Sequence, residues 1–179
     1  MKVRRVVAGT QNGKSVFLAD SLAPHTYEYK QVPGFATSLI WQTAAAPSIP
    51  VAFEDPVKPT SSLLPLPGET KCLAVSFPPD SIFQSSDFDP EEAHAEQQRH
   101  LLGLYECFDP EQPGMHASST VDYGIVLKGP LVLELEDGQT RELTTGDIVV
   151  QQGNIHAWRN PGSEPALITF VLIGAHVQL

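Results

Sequence analysis

The stretch that decides the fold class is residues 120–151, TVDYGIVLKGPLVLELEDGQTRELTTGDIVVQ. It contains four short runs rich in β-branched and apolar residues, separated by turn-forming pairs: 121–127, 131–136, 139–143 and 147–151. Leu131, Leu133 and Leu135 fall on one face of that run, and Glu134 and Glu136 fall on the other. Asp137-Gly138 is a hairpin signal. These features predict antiparallel strands of a sandwich or small barrel.

Further strands are predicted on both sides of this stretch. Residues 166–174 continue the series, and the apolar Ile148-Val149-Val150 run favours a buried strand. Upstream, strand-forming runs occupy residues 3–7, 15–19, 36–43 and 71–77. Asn12-Gly13 between the first two of these runs predicts a hairpin. We expect the N-terminal strands to extend a sheet of the barrel or to cover a partner subunit.

One helix is predicted, over residues 91–106. Asp89 is a suitable N-cap, Pro90 suits the first helical position, and Glu92 completes a capping-box pattern. His94 and His100 are interpreted as solvated residues on this helix.

The chain is expected to form a single domain over residues 1–179. Residues 1–70 would supply N-terminal strands and a proline-rich loop, 47–67, that pack on a barrel formed by residues 71–179. We expect a homodimer, because unpaired N-terminal strands would otherwise leave exposed edges.

Composition excludes several classes of partner. The chain has 11 Lys and Arg against 21 Asp and Glu, a formal charge of -10 that disfavours nucleic acid and anionic membranes. No apolar run approaches the roughly eighteen residues of a membrane-spanning helix. The N-terminal apolar run is too short for a signal peptide, and Cys72 and Cys107 have no metal-type spacing. We therefore expect a cytoplasmic protein with free thiols.

Residues 146–160, GDIVVQQGNIHAWRN, resemble the second sequence motif of the cupins. In that motif a turn glycine, a strand, a proline and glycine, a histidine and an asparagine follow in order. Gly146, Gly153, His156 and Asn160 match these roles, while Gln151 stands where proline is usual. The resemblance implies that His156 is a metal ligand.

The first cupin motif is matched in part. Its two histidines and glutamate correspond, counting back from Gly129, to His116, Ser118 and Asp122. Two of these three positions keep ligand-type residues, but serine is a poor ligand for a transition metal.

The resemblance covers about residues 113–175 and implies an all-β fold. We expect an antiparallel β-barrel or jelly roll of cupin type with one short helix. Cupins bind metals and small molecules in the barrel and include dioxygenases, decarboxylases, isomerases and non-enzymatic sensors. A divalent metal, Fe, Mn, Zn or Ni, is therefore expected as a cofactor, with a metal-free site as the alternative.

Strand geometry supports a pocket independently of the resemblance. His116, Ser118 and Asp122 are separated by even numbers of residues, so an extended chain projects them from one face. Together with His156 they supply two imidazoles and a carboxylate, the ligand set of the facial triad. Each also has a structural interpretation: His156 as a core histidine, His116 as a loop residue and Asp122 as a turn cap.

Without a metal, His156 and Asp122 would exchange protons with the substrate as a pair of acid/base groups. Further candidates for the substrate pocket are Ser118, Tyr123, Trp158 and Arg159, with Arg159 able to pair a substrate carboxylate.

Three hypotheses for function follow. The first is a metal-dependent dioxygenase or decarboxylase acting on an oxygenated aromatic or carboxylic acid metabolite. The second is a metal-free lyase or isomerase that uses His156 and Asp122. The third is a barrel that binds a metabolite without transforming it.

Overall fold

The computed structural model describes residues 1–49 and 54–177. The structure is mainly β, with two short 3-10 turns and one α-helix, α1, over Pro90–His100. Eleven strands occur in this order: β1 Arg4–Gln11, β2 Lys14–Leu22, β3 His25–Glu28, β4 Ala36–Thr43, β5 Thr70–Phe77, β6 Thr120–Lys128, β7 Leu131–Leu135, β8 Thr140–Leu143, β9 Ile148–Gln152, β10 His156–Arg159 and β11 Ala166–Gly174. The predicted all-β, antiparallel fold is confirmed.

The main sheet has six strands in the order β3-β4-β5-β11-β6-β9. β11 lies at its centre, pairing antiparallel with β5 on one side and β6 on the other. Its even-numbered residues, such as Ile168 and Phe170, are buried because they share one face of the sheet. That face is the inner face of the main sheet. β3 and β4 belong to this sheet together with β5, β6, β9 and β11. The main sheet therefore contains strands from both of the predicted parts of the chain, residues 1–70 and 71–179.

A smaller sheet of three strands, β10-β7-β8, covers the inner face of the main sheet. Leu133 and Trp158 lie opposite each other in its register. The Trp158 ring contacts the Phe170 ring of the main sheet at a centroid distance of 5.5 Å. Leu133 and Trp158 therefore lie on the inner face of the small sheet. No β-ladder joins β8 to β9 in the described residues, so the two sheets do not close into a complete barrel.

The position of β9 shows that the prediction of a buried strand at Ile148-Val149-Val150 was wrong. Its apolar residues favoured a buried strand, but β9 is the edge of the main sheet, and Ile148 is 67% exposed. Val149 and Gln151 face inward instead, because strand alternation directs Ile148 and Val150 to solvent.

Helix α1 starts where predicted and ends earlier. The Asp89 carboxylate accepts hydrogen bonds from the backbone N–H groups of Glu91 and Glu92, as an N-cap does. The helix stops at His100 rather than near residue 106, and the next residue, Leu101, is fully buried in the core. Packing of Leu101 thus overrides the helix propensity of the following residues.

Buried Glu96 connects α1 to β3 and the loop after it. Its carboxylate accepts hydrogen bonds from the Tyr27 hydroxyl and from the backbone N–H groups of Lys30 and Gln31, at 2.8 to 3.0 Å. His100 stacks on the Tyr27 ring, with a centroid distance of 3.5 Å, so the interpretation of His100 as a solvated residue is wrong. His94, by contrast, is exposed as predicted.

The N-terminal hairpin forms its own sheet. β1 pairs with β2 around Asn12 and Gly13, both with positive φ, as the Asn-Gly signal predicts. This two-stranded sheet has no ladder to the larger sheets within the described residues. The hairpin therefore does not extend the main sheet, whereas β3 and β4 do.

The proline-rich segment 47–67 has no helix or strand in its described residues, and 50–53 lie outside them. No helix in the described part of the chain is both long and apolar enough to cross a membrane.

Candidate functional site

Two histidines meet at one end of the interior. The backbone N–H of His116 donates to the carbonyl of His156 at 2.9 Å, and the N–H of His156 donates back at 3.0 Å. This antiparallel bridge brings the start of β10 against the segment that leads into β6. The two imidazole rings lie 4.3 Å apart between centroids, with an angle of 50° between their planes.

Hydrogen bonding defines which nitrogen of each ring is available. Nδ1 of His116 lies 3.0 Å from the Gly114 carbonyl oxygen, and Nδ1 of His156 lies 3.0 Å from the Asn154 carbonyl oxygen. Since a carbonyl oxygen only accepts, each Nδ1 carries the proton. Each neutral ring therefore keeps a lone pair on Nε2, which is able to accept a proton or bind a metal.

Burial keeps both rings neutral. His156 is 4% exposed, and burial, with the neighbouring His116 as a second cause, lowers its pKa to about 4. Burial also lowers the pKa of His116. Both imidazoles are thus bases rather than cations near neutral pH.

Asp122 supplies a buried carboxyl group in β6. It is 5% exposed, and its Oδ1 has no hydrogen-bond partner within the described residues. Burial raises its pKa to about 6, against a smaller opposing effect of the Thr120 side chain. The carboxyl group therefore changes charge close to neutral pH.

Gln151 is a site residue that the motif comparison did not predict. It lies directly opposite Asp122 in the pairing of β6 with β9, and its Nε2 is buried without a hydrogen-bond partner in the described residues. Strand alternation is the signal that could have identified it, because Gln151 follows Val149 on the inward-facing side of β9. Together, Asp122 and Gln151 place an acceptor and a donor side by side.

The predicted metal ligands are only partly brought together. His116 and His156 are adjacent, but in residues 1–49 and 54–177 no three His, Cys, Asp or Glu side chains form a group that could hold a metal ion. Two imidazoles without a grouped carboxylate do not fit the facial-triad set.

Aromatic side chains surround the imidazoles. Phe108 contacts His116 at a centroid distance of 4.7 Å, and Trp158 contacts His156 edge-on at 6.0 Å. Trp158 thus lies beside His156. At Gly124 an added Cβ would lie 3.0 Å from the Phe170 ring, so glycine permits that ring to pack against β6.

Three other predicted pocket residues have different surroundings. The Ser118 hydroxyl is 2.7 Å from the Thr120 hydroxyl, next to the site. Tyr123 is on the outer face of β6 and 44% exposed. Arg159 also points outward, donating to Glu134 Oε2 at 2.7 Å and to the Pro113 carbonyl at 2.9 Å. Strand alternation explains the outward direction of Tyr123 and Arg159, since Asp122 and Trp158 face inward.

Comparison with known proteins identifies the part of the chain that carries this site. The family model described as Cupin domain (Cupin_2) matches residues 104–172. The oryzines biosynthesis cluster protein J of Aspergillus oryzae is 48% identical over 50 residues, 28% of this chain and 28% of that protein. The cupin-domain-containing oxidoreductase virC of Hypocrea virens is 37% identical over 62 residues, 33% of this chain and 32% of that protein. The matched stretch thus spans about a third or less of these curated relatives.

A solved structure with a resembling chain is Fe(II)-HppE with the alternative substrate (S)-1-HPP, at 11% identity and a TM-score of 0.42. The alignment covers 95% of this chain and 56% of that chain. A cupin domain from Bordetella pertussis Tohama I aligns over 59% of this chain and 82% of that chain, at 20% identity and a TM-score of 0.36.

The matched residues 104–172 contain both histidines and Asp122, and they run through β6 to β10 into β11 of the antiparallel fold. Residues 104–172 of this chain are therefore similar to a Cupin domain.

Proposed function

We propose that this chain is an enzyme that transforms a small molecule by metal-free acid/base chemistry, as a lyase or isomerase. The observation that carries the proposal is the pair of neutral imidazoles, buried at His156 and half-buried at His116, whose Nδ1 atoms donate to carbonyl oxygens. This hydrogen bonding leaves Nε2 of each ring as a proton acceptor inside the fold.

The proposed chemistry assigns a role to each group. Nε2 of His156 accepts a proton from the substrate, and the protonated Asp122 carboxyl group donates one to a substrate oxygen. The low pKa of His156 favours return of its proton, and Asp122, with a pKa of about 6, is available in both protonation states. Gln151 and Ser118 are proposed as hydrogen-bonding partners of the substrate.

The proposed substrate is an oxygenated aromatic or carboxylic acid metabolite. The interior beside the imidazoles is aromatic, with Trp158 and Phe170 in contact, and such surfaces favour planar apolar ligands. The names of relatives from oryzines and phomopsin biosynthesis clusters support a role on a biosynthetic metabolite.

A metal-dependent oxidoreductase of dioxygenase or decarboxylase type is the second candidate. Relatives named cupin-domain-containing oxidoreductases favour it, and His116, Asp122 and His156 would be the ligands of Fe, Mn, Zn or Ni. It requires Asp122 to join the two imidazoles, which the described arrangement does not show.

The experiment that tests the proposal measures proton transfer with and without chelation. Protein treated with EDTA is incubated in D2O with a panel of small aromatic and keto acids, and NMR follows loss of substrate C–H signals. We expect exchange or elimination to survive EDTA, and His156→Gln to reduce it about a hundredfold or more while circular dichroism is unchanged. His94→Gln, on the exposed face of α1, is the matched control and should keep wild-type turnover.

Two outcomes would contradict acid/base catalysis. Activity abolished by EDTA and restored by Fe(II) would favour the oxidoreductase. Binding of panel members without any turnover would favour the third hypothesis, a non-catalytic metabolite-binding cupin.

A further inference from the structure

The inner face of the small sheet carries one charged side chain in addition to its apolar residues and His156. Arg141 of β8 lies directly opposite Leu133 of β7, and Leu133 lies opposite Trp158 of β10. Paired residues of neighbouring strands project from the same face. Because Trp158 packs on Phe170 of the main sheet, Arg141 projects from the same side of β8 as these inward residues, at an edge where it is exposed to solvent.

Arg141 differs from the other strand arginines in lacking a carboxylate partner. Arg4, Arg5 and Arg159 form ion pairs with Asp20, Asp55 and Glu134. In the described part of the chain Arg141 forms no ion pair, and its Nη1 donates to the adjacent Thr140 carbonyl at 2.7 Å. A guanidinium group has five N–H donors, so most of them remain available to a ligand.

A cavity of about 130 Å³ lies at this arginine. Leu133 and Leu135 provide its apolar surface, and Gln139, Thr140 and Arg141 provide its polar side. Leu135 is directly opposite His156 in the sheet register, so the cavity lies one strand away from the imidazole pair. The absence of a β8 to β9 ladder in the described residues leaves this side of the fold open.

We propose that this cavity is the substrate-entry subsite and that Arg141 binds the carboxylate of the substrate there. The apolar surface fits a planar or aliphatic body, and the guanidinium forms bidentate hydrogen bonds with a carboxylate. Arg141 thus takes the role that the sequence suggested for Arg159, which is already paired with Glu134. The inference rests on the proposed function, because it names the substrate class of that site.

The test is a binding titration that requires no turnover. Benzoate and its uncharged analogue benzamide are titrated into the full chain, and NMR follows the backbone amides of Leu133, Leu135 and Arg141. We expect benzoate to bind about tenfold or more tightly than benzamide, which corresponds to about 1.4 kcal/mol. Arg141→Gln should reduce this preference to about one, while Arg141→Lys should retain part of it.

A matched variant separates local binding from overall charge. Arg99→Gln removes the same charge from an exposed position on α1, and it should leave the benzoate preference unchanged. A preference that persists in Arg141→Gln, or shifts that avoid residues 133–141, would overturn the inference. If either result were obtained while turnover still resisted EDTA, the Arg141 inference would be wrong and the acid/base proposal would stand. Carboxylate binding at Arg141 without turnover would instead refute only the acid/base proposal.

Discussion

At the scale of single residues, His156 and Asp122 respond to acid in opposite directions. The folded state lowers the pKa of His156 from 6.5 to about 4, so protonation costs stability as pH falls through that interval. It raises the pKa of Asp122 from 3.8 to about 6, so protonation restores stability as pH falls through nearly the same interval. The two contributions largely cancel in the wild-type protein.

Single variants should reveal each contribution. His156→Gln removes the acid penalty, so its free energy of unfolding should rise relative to wild type as pH falls from 6.5 to 4. Asp122→Asn removes the cost of a buried carboxylate, so it should be more stable than wild type above pH 6 and should lose that advantage below pH 4. Each difference should reach about 3 kcal/mol, since each pKa is shifted by roughly two units or slightly more and one unit corresponds to about 1.4 kcal/mol. Urea unfolding at several pH values measures it, and parallel curves for all three proteins would contradict the burial of these groups.

The sequence predicted only part of the candidate site, and the reason is found in its individual residues. Motif spacing and strand parity identified His116, Asp122 and His156, because those signals depend on local sequence. The hydrogen bonds from Nδ1 and the adjacency of the two rings depend on a bridge between segments forty residues apart. Arg159 was misplaced because its ion pair with Glu134 is formed by the pairing of β7 with β10.

At the scale of elements, strands with clear alternation and turns were predicted closely. β4 and β11 have the predicted bounds, Ala36–Thr43 and Ala166–Gly174. The four-residue strands β3 and β10 were missed, because so short a run shows little periodicity, whereas the equally short β8 was predicted from the Asp137-Gly138 turn before it. Exposure of β9 was missed because an apolar run does not reveal whether its strand is central or at an edge.

The helix prediction can be tested through its cap. Asp89→Ala should lower the free energy of unfolding by about 1 kcal/mol, because two backbone N–H groups lose their acceptor. Turnover should be retained at temperatures where the variant is folded, since α1 packs on Tyr27 at β3, away from the histidine pair. Asp87→Ala, at an exposed position just before the helix, is the control and should have little effect in urea unfolding. Equal losses in the two variants would contradict the capping role.

At the scale of the whole molecule, the β1–β2 hairpin presents apolar side chains to solvent. Phe17 is 80% exposed, and Val6 and Leu22 are each at least half exposed. Its strands pair only with each other among the described residues, and a two-stranded hairpin is marginally stable alone. We therefore propose that a second copy of the chain covers the hairpin in a symmetric homodimer.

The dimer prediction has a direct measurement. Light scattering at micromolar concentration should give twice the chain mass of 19.4 kDa for wild type. Phe17→Asp should shift the equilibrium towards monomer, because a buried carboxylate would have to lose its hydration in the interface. Ser15→Asp adds the same charge at a hairpin position that carries no apolar side chain, and should remain dimeric. A wild-type monomer would refute the interface, and a Phe17→Asp dimer of unchanged stability would show that the subunits pair through another surface.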